Sequence, residues 1–140
     1  VLPQLRQPLP MSGNARRGNG HRRDSVLRWL RSQGGCCWMC GLPIAYGAQA
    51  GDPLAFECDE LVPVSRGGSP YDRENVAPAH RICNNWRGDK PVGWVLSVRS
   101  RVLARFGRWS TPQQFVAFAK ALDGGRAPSA ASASRVTTDW

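Results

Sequence analysis

The sequence predicts a small α+β domain, and three observations carry that reading. Two close pairs of metal-type ligands, Cys37-x-x-Cys40 and His80-x-x-Cys83, stand far apart in the chain. Between them an acidic extended segment, Leu54 to Val64, runs into the glycine loop Ser65-Arg66-Gly67-Gly68-Ser69-Pro70. Helical patterns flank this middle on both sides. The chain has 140 residues, a length that suits one domain.

Residues 1–20 hold prolines, glycines and arginines and are expected to form a mobile basic segment. The domain proper is expected over 21–123, with its core motif at 37–90 and C-terminal helices within 92–123. The stretch 124–140, rich in Ala and Ser, reads as a flexible tail. A first helix is expected from Asp24, a possible cap, to Gln33, with Val26, Leu27 and Leu30 on one face. Gly34 and Gly35 stop it, and Cys37-Trp38-Met39-Cys40-Gly41 reads as a tight turn. Turn-like sequence leads to the extended segment, where Phe56, Leu61 and Val62 are apolar anchors, and Asp72 to Val76 reads as a connector. From about Pro78 a helix is expected to carry His80, Cys83, Asn84 and Arg87 and to end near Gly88. Val92 to Phe106 fits another helix, and Ser110 or Thr111 before Pro112 starts a last one with Phe115, Val116, Phe118, Ala119 and Leu122 as its buried stripe.

The formal charge of +9, from 19 Lys plus Arg against 10 Asp plus Glu, points to a polyanionic partner, nucleic acid before anionic membrane. Lys90 and Lys120 are the only lysines, and the planar guanidinium matches phosphate well. No run approaches the roughly 18 apolar residues of a membrane helix, and no basic stretch leads into an apolar core at the start, so no membrane role and a cytoplasmic location are expected.

Five cysteines, Cys36, Cys37, Cys40, Cys58 and Cys83, argue against a complete disulfide framework. Cys37, Cys40, His80 and Cys83 are the inventory of a closed tetrahedral zinc site, a structural staple joining the turn to the helix across a long loop. A redox Cys-x-x-Cys is the other reading, without the strand and helix setting it needs. Cys36 substitutes for Cys37 only at a wider spacing, and Cys58 reads as a packed thiol.

Between and after the ligand pairs the chain reads Asp59-Glu60-Leu61-Val62-Pro63-Val64-Ser65-Arg66-Gly67-Gly68-Ser69, then Glu74-Asn75-Val76, then His80-x-x-Cys83-Asn84-Asn85-x-x-Gly88-x-Lys90. This order resembles the HNH nuclease family, including its phage-type members, over about Cys37 to Lys90. The resemblance implies a zinc-stapled ββα-metal module with flanking helices. It implies further that Asp59 and Asn84, with Asn85 as fallback, ligate a catalytic Mg²⁺ or Mn²⁺ and that Asn75 braces the loop and orients the base. His80 stands where the family has a zinc cysteine, and it is assigned to zinc.

Where the family places its general-base His, this chain has Glu60. Three roles are open to it: the base, a second ligand beside Asp59 with metal-bound hydroxide attacking, or a member of a site that binds without cutting. His21 is a further candidate base. A carboxylate titrates roughly two pH units below His, which makes it the weaker base near neutrality. A hard dication takes oxygen ligands and keeps several waters, so one carboxylate and one amide suffice to hold it against a phosphate. Arg66, Arg87, Lys90, Arg28 and Arg31 are the candidate phosphate contacts, with Arg99, Arg101, Arg105 and Arg108 as a possible groove and Trp86 and Trp94 as core. The expected function is metal-dependent endonuclease hydrolysis of phosphodiester bonds, on DNA by the resemblance. The competing class is a nucleic-acid-binding or accessory protein on the same frame.

Overall fold

The computed structural model describes residues 13–123. Helix α1 (Gly13–Gln33) leads to a turn region, then strand β1 (Phe56–Glu60), two short 3-10 turns (Val64–Arg66 and Arg73–Asn75), strand β2 (Val76–His80) and helices α2 (Arg81–Arg87), α3 (Val92–Phe106) and α4 (Pro112–Asp123). The strands form a two-stranded antiparallel ribbon in which Phe56 faces His80 and Glu60 faces Val76. The protein is therefore mixed helix and sheet, as expected.

Side chains alternate across β1, and that alternation decides which face each residue serves. Phe56 and Cys58 pack towards Val26 and Leu30 of α1, together with Val76, Trp29 and Tyr71. Glu57 and Asp59 point to the other face, where α2 lies against the ribbon and contacts both of them. A larger core joins Cys37, Met39, Cys40 and Ile44 of the turn region to Ala79, Cys83, Val95, Phe115 and Val116. Trp86 packs on Trp94 and meets Phe115 edge-on, so both tryptophans belong to the core. A third cluster, Val98, Val102 and Ala119, binds α3 to α4.

The last two helices obey the sequence closely. Pro91 precedes α3 and Gly107 follows it. Thr111 Oγ1 accepts from the Gln114 backbone N–H, while the Gln114 side chain accepts from the Ser110 N–H, a reciprocal cap before the buried Phe115, Val116 and Ala119.

Two boundaries differ from expectation. α1 begins at Gly13, so Asp24 lies inside the helix, and the added turns are glycine-rich and lack the apolar period that marks a helix in sequence. The expected mobile segment and flexible tail otherwise fall at 1–12 and 124–140, outside the described residues. α2 starts at Arg81, three residues later than expected, because Pro78 and His80 belong to β2. In a two-stranded ribbon both strands are edges, so a proline without an N–H is tolerated at Pro78, opposite Cys58. The first α2 donors are instead satisfied from upstream, Arg81 N–H by the Ala55 carbonyl and Ile82 N–H by the Pro53 carbonyl, both at 2.9 Å.

Candidate functional site

Cys37, Cys40, His80 and Cys83 converge, all four buried, with their ligand atoms within 4.8 Å of one another. The turn brings the first pair: Gly41 N–H donates to Cys37 O, Cys37 N–H to Leu42 O, and Trp38 N–H to Pro78 O of β2. The junction of β2 and α2 brings the second. A tetrahedron with zinc–sulfur bonds of about 2.3 Å has edges of about 3.8 Å; Cys40 Sγ lies 3.4 Å and Cys83 Sγ 4.0 Å from His80 Nδ1. His80 Nε2 is 2.8 Å from Pro43 O and donates to it, leaving the Nδ1 lone pair for a metal.

The electrostatics of the thiols fit the same occupant. Hydrogen bonds from Cys40 and Cys83 hold Cys37 as a thiolate, far below the ordinary thiol value. Sharing those bonds with Cys37 pushes Cys40 up to about 12, and sharing with Cys37 and Cys40, together with burial, drives Cys83 higher still. Three buried thiols at this range cannot all ionise alone, and a dication removes that conflict. The quartet can hold a structural metal such as zinc. Cys36 is exposed, and Cys58 is half-buried in the α1 cluster with burial raising its thiol to about 11, which suits a packing role.

The acidic end of β1 lies at the other end of the ribbon from His80, which faces Phe56, and is joined to the cysteine turn through Trp38. Asp59 is 7 % exposed; its Oδ2 accepts from Trp38 Nε1 at 2.8 Å and from Arg87 at 2.7 Å, and Oδ1 accepts no hydrogen bond among the described residues. Burial raises its carboxyl above the ordinary value, with the Arg87 and Trp38 hydrogen bonds pulling back. Glu60, next along the strand, turns to the opposite face and lies 3.4 Å from Arg23 of α1. Asn84 donates to Glu57 Oε1 at 2.9 Å, and Arg81 holds Glu57 Oε2 at 3.1 Å. Glu57 is the site residue that reading the sequence missed. Its place two residues before Asp59 on the same strand face was the available signal.

Asn75 closes the loop. Its Oδ1 accepts from Val62 N–H at 2.9 Å, its Nδ2 donates to Val62 O and Ser69 O, and its carbonyl accepts from Leu61 N–H. Gly67, at φ +93°, ends the 3-10 turn in the left-handed region. Gly68 is required for a different reason: a Cβ there would lie 1.7 Å from Val62 O and 2.8 Å from Asn75 Nδ2. Gly68→Ala is therefore expected to lower stability by about 3 kcal/mol, read as a lower midpoint in thermal unfolding. A midpoint within a degree or so of wild type would show that the brace yields.

The expected phosphate contacts divide. Arg87 is corrected: at 1 % exposure it donates to Asp59, Glu60 O, Leu61 O and Lys90 O, and cannot reach a ligand. Arg101 is buried too, which breaks the expected arginine groove, and Arg99 lies beside Gly41. Arg66 is exposed and ties the loop to Asp89 O. Lys90 is exposed with its ammonium 5.5 Å from the Trp94 ring centre, Arg28 is exposed, and Arg31 bonds Tyr46 O at 2.8 Å. His21 is exposed on α1. No described helix is long and apolar enough to cross a membrane. No protein-family model, no curated protein and no solved structure matches the chain.

Proposed function

We propose that this chain is a metal-dependent endonuclease of HNH type, cutting phosphodiester bonds in nucleic acid, DNA first, in the cytoplasm. The observation that supports it most is the state of Asp59. Its Oδ2 is fixed by Trp38 and Arg87, while Oδ1 accepts nothing among the described residues at the end of a strand facing α2. A positioned carboxylate oxygen of this kind suits a hard dication such as Mg²⁺ or Mn²⁺. Glu57 shares that strand face and Asn84 of α2 bonds to it, offering two further oxygens, since an amide can turn its oxygen towards a cation. Held by Asp59 with Asn84, such an ion would supply charge stabilisation at the scissile phosphate. Arg81 and Arg66 would hold the flanking phosphates, and Asn75 keeps the loop closed around the acidic strand end.

Glu60 is the proton acceptor in this reading, released from Arg23 when substrate enters. Its position on the opposite face, 3.4 Å from Arg23, favours a second reading in which the frame binds nucleic acid without cutting it. Supercoiled plasmid with Mg²⁺ or Mn²⁺ separates the two. Wild type is expected to nick, Asp59→Ala and Asn84→Ala to fall by about a hundredfold or more, and Glu60→Gln to fall while Glu60→His retains cutting. Wild type inert with every metal, with Glu60→His gaining activity, would leave binding as the native role.

A further inference from the structure

A nucleic acid carries its charge along its backbone, so an arginine-dense surface is the one that meets it. We infer that α1 is the docking element, its arginines gripping backbone phosphates beside the ribbon; this rests on the proposed function for its substrate class. Six of the 21 residues of Gly13–Gln33 are arginine against one aspartate, a concentration of charge that the packing of Val26 and Leu30 does not explain. Three exposed guanidiniums where α1 meets the ribbon lie over aromatic rings: Arg22 over Tyr71 at 4.1 Å, Arg31 over Phe56 at 4.8 Å and Arg73 over Trp29 at 4.6 Å. A guanidinium stacked on a ring keeps its charge and N–H groups for a phosphate, Arg31 all but the one it gives to Tyr46 O, and it has already lost much of the freedom that binding would otherwise remove. Arg28 is exposed and makes no hydrogen bond, ion pair or ring contact among the described residues.

The opposing charges are Asp24 on α1, Asp72 and Glu74 beside Arg73, and Glu60 against Arg23. They make Arg73 the weaker contributor and leave Arg22, Arg28 and Arg31 as the grip. Because Glu60 faces α1, a polymer lying along this helix passes Glu60 at the strand end, with Asp59 on the other face of the ribbon. Phosphate contacts carry no base identity, so the recognition is largely independent of sequence.

The test is fluorescence anisotropy of a labelled DNA duplex with the zinc-loaded full chain, Ca²⁺ replacing Mg²⁺, between about 50 and 200 mM salt. Arg22→Gln/Arg28→Gln/Arg31→Gln is expected to weaken binding by about tenfold or more and to flatten the slope of log K against log salt by about three. Arg105→Gln/Arg108→Gln, exposed on and after α3, is expected to bind within about twofold of wild type. Since Arg22 and Arg31 also pack, Arg28→Glu is measured alone: weaker binding at an unchanged melting temperature supports the grip. A folded triple variant that binds like wild type overturns the inference, as does an equal loss in the α3 pair. Plasmid cutting is scored separately. A chain that docks through α1 and never cuts upholds this inference while ending the nuclease reading, and one that cuts with α1 neutralised does the reverse.

Discussion

Stripping zinc from chain loaded at the Cys37, Cys40, His80 and Cys83 quartet is expected to abolish cooperative unfolding. A structural zinc contributes on the order of 10–16 kcal/mol of apparent binding energy in small zinc peptides, as much as the roughly 5–15 kcal/mol by which a whole domain is stable. Here the ion would close a loop from Cys40 to His80 and hold together a turn, a strand end and a helix start. Losing it frees three buried thiols to compete for protons, and the core around Met39, Val95 and Phe115 loses the frame it packs on. His80→Ala and Cys40→Ser should reproduce the effect. The pH dependence has a definite sign. The metal-bound state carries thiolates and a neutral His80, so the unfolded chain binds more protons and stability falls as pH drops. Its hydrogen bond with Cys37 pushes Cys40 up to about 12, so Cys40 takes a proton back readily when it is not ligating. Circular dichroism melts alongside a zinc-release assay read this directly, and an apo chain that melts where the loaded one does would refute the staple.

The quartet was legible because its spacing is local within each pair, and close pairs of cysteine and histidine have few other uses inside a core. The ends of α3 and α4 were legible for a similar reason, since Pro91, Gly107, Thr111 and Pro112 act within one turn of where they stand. The start of α2 was not. Pro78 reads as a helix opener, and only its pairing with Cys58 across the ribbon makes it a strand residue. α1 was seen for its last three turns, where Val26 and Leu30 recur at helical spacing, and missed for its glycine-rich beginning.

The site divides along the same line. Asn75 was read as a loop brace, and its three side-chain bonds tie the residues on either side of the glycine turn. Asp59 stands out in the sequence, whereas its pairing with Trp38 and Arg87 does not, because both partners come from elements far along the chain and Arg87 reads there as a phosphate contact. Glu57 was passed over since a polar residue in a short strand is ordinarily solvated. Its bond to Asn84 depends on how α2 lies across β1, which no local pattern encodes.

Arg87 makes the sharper test of that geometry, because the two accounts of it predict opposite phenotypes. A phosphate-gripping arginine at the end of α2 would leave a stable protein with weaker nucleic-acid binding when replaced. A buried brace behaves otherwise. Its guanidinium pairs with Asp59 at 2.7 Å and donates to the carbonyls of Glu60, Leu61 and Lys90 at 3.0, 2.6 and 2.8 Å, joining the ribbon end to the turn before α3. Arg87→Met fills much of the volume but strands a buried carboxylate with only Trp38 beside it, and the expected loss is about 3–5 kcal/mol. Arg87→Lys should recover little, since a single ammonium cannot present the planar fork to four acceptors. Asp59→Asn removes the anion at its source, so the double variant Arg87→Met/Asp59→Asn should lose about 1–3 kcal/mol less than the sum of the two single losses. Urea unfolding of the four proteins closes the cycle. Additive losses would mean that the pair is not coupled, and an Arg87→Met protein as stable as wild type would return Arg87 to the surface role its sequence first suggested. The same cycle bears on chemistry, because Arg87 and Trp38 are what leave Asp59 Oδ1 pointing away from its own restraints. Under the proposed nuclease function, plasmid nicking by the Arg87 variants should therefore fall with the orientation of Asp59 even at temperatures where the protein remains folded.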